Sequence, residues 1–211
     1  GHYTVQLKND GNYEGETGNR PGLPTVIGDY PEILVPERNF PTGRLDDFQR
    51  HKARVWTNYD VSLGRAGALN LGLLWRYDSA LTYSLAAPEV DFSDVQLSRD
   101  PGYYSLDTQT LYYGPRGAGS YNGAHRFDAA LNYEIPVYRS LRPWLKAELR
   151  NIFNDQTLIG FNTSITEDLD GPVDANGLPT QYVQGPRFGQ GTSTLDYPLA
   201  RSFRMSIGFR F

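Results

Sequence analysis

The sequence predicts an all-β fold, an antiparallel up-and-down sheet of the kind that forms part of a transmembrane β-barrel, and three observations carry that expectation. Six segments alternate apolar and polar residues with the period of two that a strand imposes. In all six the apolar positions are mostly odd-numbered. The connections run long, short, long, short, long, so in a meander every long loop falls at one end of the sheet. Long loops at one end, tight turns at the other, one polar face and one apolar face together make the outer-membrane barrel pattern. A soluble sandwich or lectin-like domain is the competing architecture.

The first segment, GHYTVQLKND, sets Tyr3, Val5 and Leu7 against His2, Thr4, Gln6 and Lys8, and reads as strand rather than as a secretory leader. Residues from about 17 to 48 are rich in Gly, Pro and Asp and read as a loop without regular structure. Alternation resumes in HKARVWTNYDVSL, where Trp56 is the exception, and a short GRAG turn follows. Next, ALNLGLLWRYDSALTYSL sets Leu69, Leu71, Leu73, Trp75 and Tyr77 against Asn70, Gly72, Arg76 and Asp78, and continues the pattern to Leu85. That length exceeds the roughly five or six residues of an ordinary globular strand.

A second long loop, from about 86 to 123, is rich in Tyr and Gly. The fourth segment, HRFDAALNYEIPVY, is followed by the short turn RSLRP and then by WLKAELRNIF, whose Trp144 and Ile152 break the alternation. A third long loop spans about 155 to 198. The closing segment, RSFRMSIGFRF, sets Phe203, Met205, Ile207, Phe209 and Phe211 against Ser202, Arg204, Ser206, Gly208 and Arg210. A Phe-rich strand at the end of the sequence suits lipid better than water. Tyr59, Trp75, Tyr83, Tyr133, Trp144, Phe153 and Phe211, near strand ends, are expected to form interfacial aromatic girdles.

Composition narrows the functional classes. Among 211 residues, 39% are hydrophobic, with 22 Gly and 15 Tyr. The mean hydropathy is −0.52. No run approaches the roughly 18 apolar residues of a membrane helix, but polar lumen positions and long loops lower the mean hydropathy of a barrel without excluding one. The absence of Cys removes disulfide scaffolds, thiol catalysis and thiolate metal sites. A net charge of −4, with no basic block, argues against a nucleic-acid partner. Six strands are fewer than the roughly eight that close the smallest single-chain bacterial barrels. The sequence is therefore expected to be a piece of a larger sheet.

Taken in order, GNYEGE, GRLDDFQRHKARV, GALNLGLLWRYDSALTYS, LRNIFND, PVDANGLPT and RSFRMSIGFRF resemble the C-terminal part of a TonB-dependent outer-membrane receptor of the Oar-like group. The resemblance runs along essentially the whole chain. It implies the last six strands of a barrel of about 22 strands, its lumen closed by an N-terminal plug. It also implies an integral outer-membrane protein with extracellular loops and a periplasmic C-terminus. Such a protein takes up substrate with energy delivered through the TonB complex. The plug and the TonB-binding segment match nothing in this sequence, so this chain by itself is not expected to transport. The resemblance further implies that Ile207, Gly208, Phe209 and Phe211 serve as the terminal-strand signal read by the barrel assembly machinery. An adhesin or structural surface barrel, which needs no plug, and a soluble β-sandwich binding domain are the alternatives.

Candidate sites are few. Tyr103, Tyr104, Tyr112 and Tyr113, in a loop among Gly and Pro, offer rigid amphipathic contact area for a ligand, or pack against other loops. Asp168, Asp170 and Asp174 lie at short spacing as a candidate calcium loop, but without the full D-x-D-x-D-G pattern and its bidentate Glu; Asx-turns are the competing use. His51 with Asp46 and Asp47, and His125 with Asp128, are acid/base pairings expected near the extracellular rim. No catalytic constellation has a recognisable spacing, so neither an enzyme nor a cofactor is expected.

Overall fold

The computed structural model describes residues 1–15, 33–99, 108–135 and 141–210. Its principal element is one six-stranded antiparallel sheet: β1 (His2–Val5), β2 (His51–Ser62), β3 (Ala68–Asp78), β4 (Ala124–Glu134), β5 (Arg142–Arg150) and β6 (Ser202–Arg210). Each strand pairs only with its neighbours in the chain, so the sheet is an up-and-down meander. It is open: β1 and β6 do not pair with each other. A tight turn through Gly64–Ala66 links β2 to β3, with Leu63 donating its amide to Gly67 O at 2.8 Å. The described parts of residues 6–50, 79–123 and 151–201 leave the sheet at its other end and form a cap there.

The register preserves parity throughout. Arg54 stands opposite His2 and Arg76, Arg76 opposite Arg126, Ala129 opposite Leu149, and Ala147 opposite Met205. Odd residues therefore share one face and even residues the other. Every Asp, Glu, Lys and Arg of the six strands is even-numbered: Lys52, Arg54 and Asp60 on β2; Arg76 and Asp78 on β3; Arg126, Asp128 and Glu134 on β4; Arg142, Lys146, Glu148 and Arg150 on β5; Arg204 and Arg210 on β6. These charges pair across strands, Arg54 with Asp78 at 2.6 Å, Arg126 with Asp78 at 3.3 Å, Arg76 with Asp128, and Arg210 with Glu134.

The odd face carries no Asp, Glu, Lys or Arg, and much of it is exposed. Tyr59 is 68% exposed, Phe203 66%, Ile207 74% and Phe209 63%. The sheet thus contributes little to a core of its own, and that core lies elsewhere. Ala87, Val90, Leu111, Ile165 and Leu178, each at most 3% exposed, form a cluster among the long connections, with Val35, Leu85, Tyr113, Tyr182 and Phe188 packed against it. All three long connections contribute.

Several expected boundaries move. The first strand stops at Val5, short of Leu7, and the third stops at Asp78 rather than at Leu85. Thr82–Tyr83 and Ala86–Val90 belong to the loop region, paired with Gly119–Ser120 and Gln109–Tyr112. The fifth strand ends at Arg150 because Asn151 and Asn154 adopt positive φ values of 51° and 53°. The first long loop, expected to lack regular structure, holds a short helix, Pro36–Asn39, and the second holds another, Asp94–Leu97. Pro36 supplies a preset φ at the start of the first. Ser93 and Gln96 form a capping box on the second.

The aromatic girdle is corrected too. Tyr83 lies in the cap against Tyr121 and Phe161, at centroid distances of 4.9 and 5.5 Å. Trp144 is on the even face, opposite Gly208. Trp75, Tyr77, His125 and Phe127 do gather at the cap end of the odd face, where Tyr77 and His125 stack at 4.6 Å. Phe153 meets Phe127 edge-on at 5.2 Å.

Candidate functional site

The three long connections interlock into one cap over the end of the sheet. Arg38, on the Pro36–Asn39 helix, reaches the third connection: Nη1 pairs with Asp174 Oδ2 at 2.9 Å and Nη2 donates to Pro179 O at 2.6 Å. Asn39 Nδ2 donates to Gln109 Oε1 and to Thr110 O, both at 3.0 Å, and Gln96 Nε2 donates to Ile33 O at 2.6 Å. Arg99 Nη1 donates to Asn176 Oδ1 at 2.6 Å. Arg116 is also buried, its side chain 0% exposed. Its guanidinium donates to Tyr112 Oη at 2.6 Å and Asn12 O at 3.0 Å, pairs with Glu14 Oε2 at 3.3 Å, and lies 4.4 Å from the Tyr112 ring centroid. Gly43 is pressed against this residue: a Cβ there would come within 2.2 Å of Arg116 O, so no other residue fits without backbone movement.

Between these parts opens a groove of about 800 Å³, with Pro36, Phe40, Pro41, Tyr113 and Pro115 forming its apolar wall and Glu37, Arg38, Asp174 and Thr180 its polar one. Two of the four predicted tyrosines line it. Tyr112 is 6% exposed, and its hydroxyl is engaged by Arg116, so its part is to hold the wall. Tyr113 is half-buried between the Arg38 guanidinium, 5.4 Å from its centroid, and Tyr182 at 5.3 Å. Burial pushes the Tyr113 hydroxyl above its ordinary pKa, and Arg38 opposes that shift only in part. Tyr103 and Tyr104 lie outside the described residues.

The Arg38–Asp174 pair gives the cap a pH dependence. Burial acts to raise the Asp174 carboxyl, but hydrogen bonds from the Leu178 amide, Arg38 and the Asn176 amide outweigh it and hold the pKa below its ordinary 3.8. A depressed folded-state pKa contributes stability that is present above the unfolded value and lost as pH falls through the folded one. The cap of the wild-type protein should therefore become more susceptible to an acid-active protease, pepsin, as pH drops below about 4. Asp174→Asn should be cut faster than wild type by a protease active at neutral pH, and with pepsin it should lack that transition. Equal acid sensitivity in both proteins would place the titrating group elsewhere.

The remaining candidates separate. Asp168 and Asp174 cap turns: Asp168 Oδ1 accepts from Asp170 N at 3.1 Å, and Asp174 Oδ1 accepts from Asn176 N at 2.8 Å and Leu178 N at 3.1 Å. Among the described residues no three His, Asp or Glu side chains gather as a metal site, so the calcium spacing of Asp168, Asp170 and Asp174 is not assembled into one. His51 Nδ1 bonds the Tyr3 hydroxyl at 2.7 Å, whereas Asp47 accepts from Asn9. His125 and Asp128 point to opposite faces, so they form no acid/base pair. Of the terminal-strand residues, Ile207 and Phe209 lie on the exposed odd face and Gly208 under Trp144, where a Cβ would come 2.5 Å from the indole. Phe211 lies outside the described residues.

Arg38, Arg116 and the Asn39, Gln96 and Gln109 amides escaped sequence reasoning. Only the Ser93-x-x-Gln96 spacing carried a readable signal, that of a capping box. No family model, curated protein or solved structure matches the chain.

Proposed function

We propose that the chain is a segment of an outer-membrane β-barrel of the TonB-dependent receptor type. Its odd face meets lipid, its even face lines the lumen and its cap faces outward. One observation carries the reading: the strands place every Asp, Glu, Lys and Arg on one face and leave the other free of them and largely exposed, while the core sits in the loops. In water an apolar face of this extent costs about 25 cal/mol for each Å² left exposed. Against hydrocarbon it costs nothing, whereas each charge would be expensive there. The open edges of β1 and β6 fit the same reading, because a sheet spanning a bilayer must continue through further strands until it closes. A receptor needs a plug and a TonB contact from outside this chain. The packed cap, with its groove, also suits an adhesin, which needs neither.

Fractionation of cells producing the whole protein tests this. The protein should be found in the outer membrane, shift in gel mobility on heating, and expose residues 165–184 of the cap to protease on intact cells. Recovery as a detergent-free, monodisperse soluble protein would overturn the membrane reading and favour a sandwich whose second layer covers the odd face.

A further inference from the structure

The even face is not only polar but cationic. It carries nine Lys and Arg against five carboxylates, in a chain whose formal net charge is −4. Arg54, Arg76 and Arg126 stand directly opposite one another across β2, β3 and β4, an arrangement that destabilises a sheet unless anions neutralise it. Asp78 and Asp128 supply that neutralisation and are thereby consumed. On β5, Glu148 pairs with Lys146 at 2.5 Å. Arg150 and Arg204 make no ion pair within 4 Å among the described residues, and they are near neighbours: Arg150 faces Ser202, two residues from Arg204, which stands opposite Glu148.

A groove of about 560 Å³ runs beside Arg150, with Trp56 and Asn58 at its β2 side, the paired Arg76 and Asp128 along it, and Glu148 and Arg150 at its β5 side. Gly72 and Ala130, opposite each other at its centre, keep the floor low. We infer that this groove binds a small, multiply charged oxyanion, a phosphate or a polycarboxylate, held chiefly by Arg150. A guanidinium offers paired donors that match two oxygens of such a group. Arg204, opposite Glu148 on β6, adds charge beside the groove, whereas Arg76 is already paired with Asp128. Glu148 opposes the ligand and limits its affinity, which lets a bound anion leave. Arrays of Arg and Lys along a pore select anions in this way.

Titration calorimetry on the whole protein in detergent, with pyrophosphate and with citrate as probes, tests the site. At least one probe should bind, more weakly as salt is raised. Arg150→Gln should weaken that binding about tenfold, the loss expected of one charge-assisted contact, while Glu148→Gln should strengthen it. The tighter probe assigns phosphate or polycarboxylate chemistry. Binding of neither probe would overturn the inference, as would unchanged affinity in an Arg150→Gln protein with wild-type heat-modifiable mobility. The groove depends on strand register and not on lipid. A soluble protein that bound pyrophosphate through Arg150 would therefore refute the membrane reading and keep this site.

Discussion

Replacing Leu73 by Arg should nearly abolish assembly of the protein in the outer membrane, whereas replacing the adjacent Leu74 by Arg should leave it close to wild type. Leu73 lies midway along β3 on the odd face, 43% exposed, between Thr57 and Ala129. Leu74 points the other way and stands opposite Asp128. A cation on the lipid side at the bilayer midplane costs about 2–4 kcal/mol, a large share of the roughly 5–15 kcal/mol by which folded proteins are stable. On the even face the same cation meets water and a carboxylate. Heat-modifiable mobility and surface protease accessibility measure the difference. In a protein whose odd face meets water, Leu73→Arg would add charge to an already wet position and change little. Near-equal assembly of the two variants would therefore remove lipid from the odd face.

That contrast rests on parity, which the sequence displays directly. A strand has only two faces, so a single alternating run such as HRFDAALNYE fixes which side each residue takes. Six runs with a common odd phase make one sheet with two unlike faces the economical expectation, and the register bears it out pair by pair. Strand ends were less legible, because alternation can outlast the ladder. Leu81 and Leu85 keep the odd phase of β3; Ser79, whose amide bonds His51 O at 2.9 Å, and Leu81, bridged to Gln49, still hold the β2 register, but Leu85 O accepts from Tyr113 inside the cap.

The cap was the least legible part, for a physical reason. Its core residues are drawn from three connections, as isolated apolar positions with no period to announce them: Ile33, Leu111, Ile165 and Leu178. Its polar links are equally non-local. Arg38 meets Asp174 across 136 positions, and Arg116 meets Glu14 across 102. Composition marked these segments as loops, correctly in that Gly and Pro break the ladders. It gave no sign that buried amides and guanidinia would bind them together. Tyr112 shows the limit well: a ligand-contact reading and a packing reading were equally available, and its hydroxyl under Arg116 favours packing.

Arg116→Met should accordingly open the cap while sparing the sheet. Met matches much of the volume but supplies no donor. The Tyr112 hydroxyl and Asn12 carbonyl would then lose their donor and Glu14 its cation. Breaking a buried pair by removing one partner costs about 3–5 kcal/mol, and the lower end applies because the Glu14 side chain is 26% exposed. Hydrogen exchange on the whole protein should show amides of the cap, such as Arg44, which donates to Arg116 O at 3.1 Å, losing protection. The β3–β4 ladder should keep its protection. Arg116→Lys should rescue little, since an ammonium on a shorter stem cannot reach acceptors placed for a planar fork. Adding Glu14→Gln to Arg116→Met should recover part of the loss by removing the stranded charge, an interaction that a double-mutant cycle isolates. Wild-type exchange throughout the cap of Arg116→Met would mean that apolar packing around Leu111 and Ile165 holds the three connections without it.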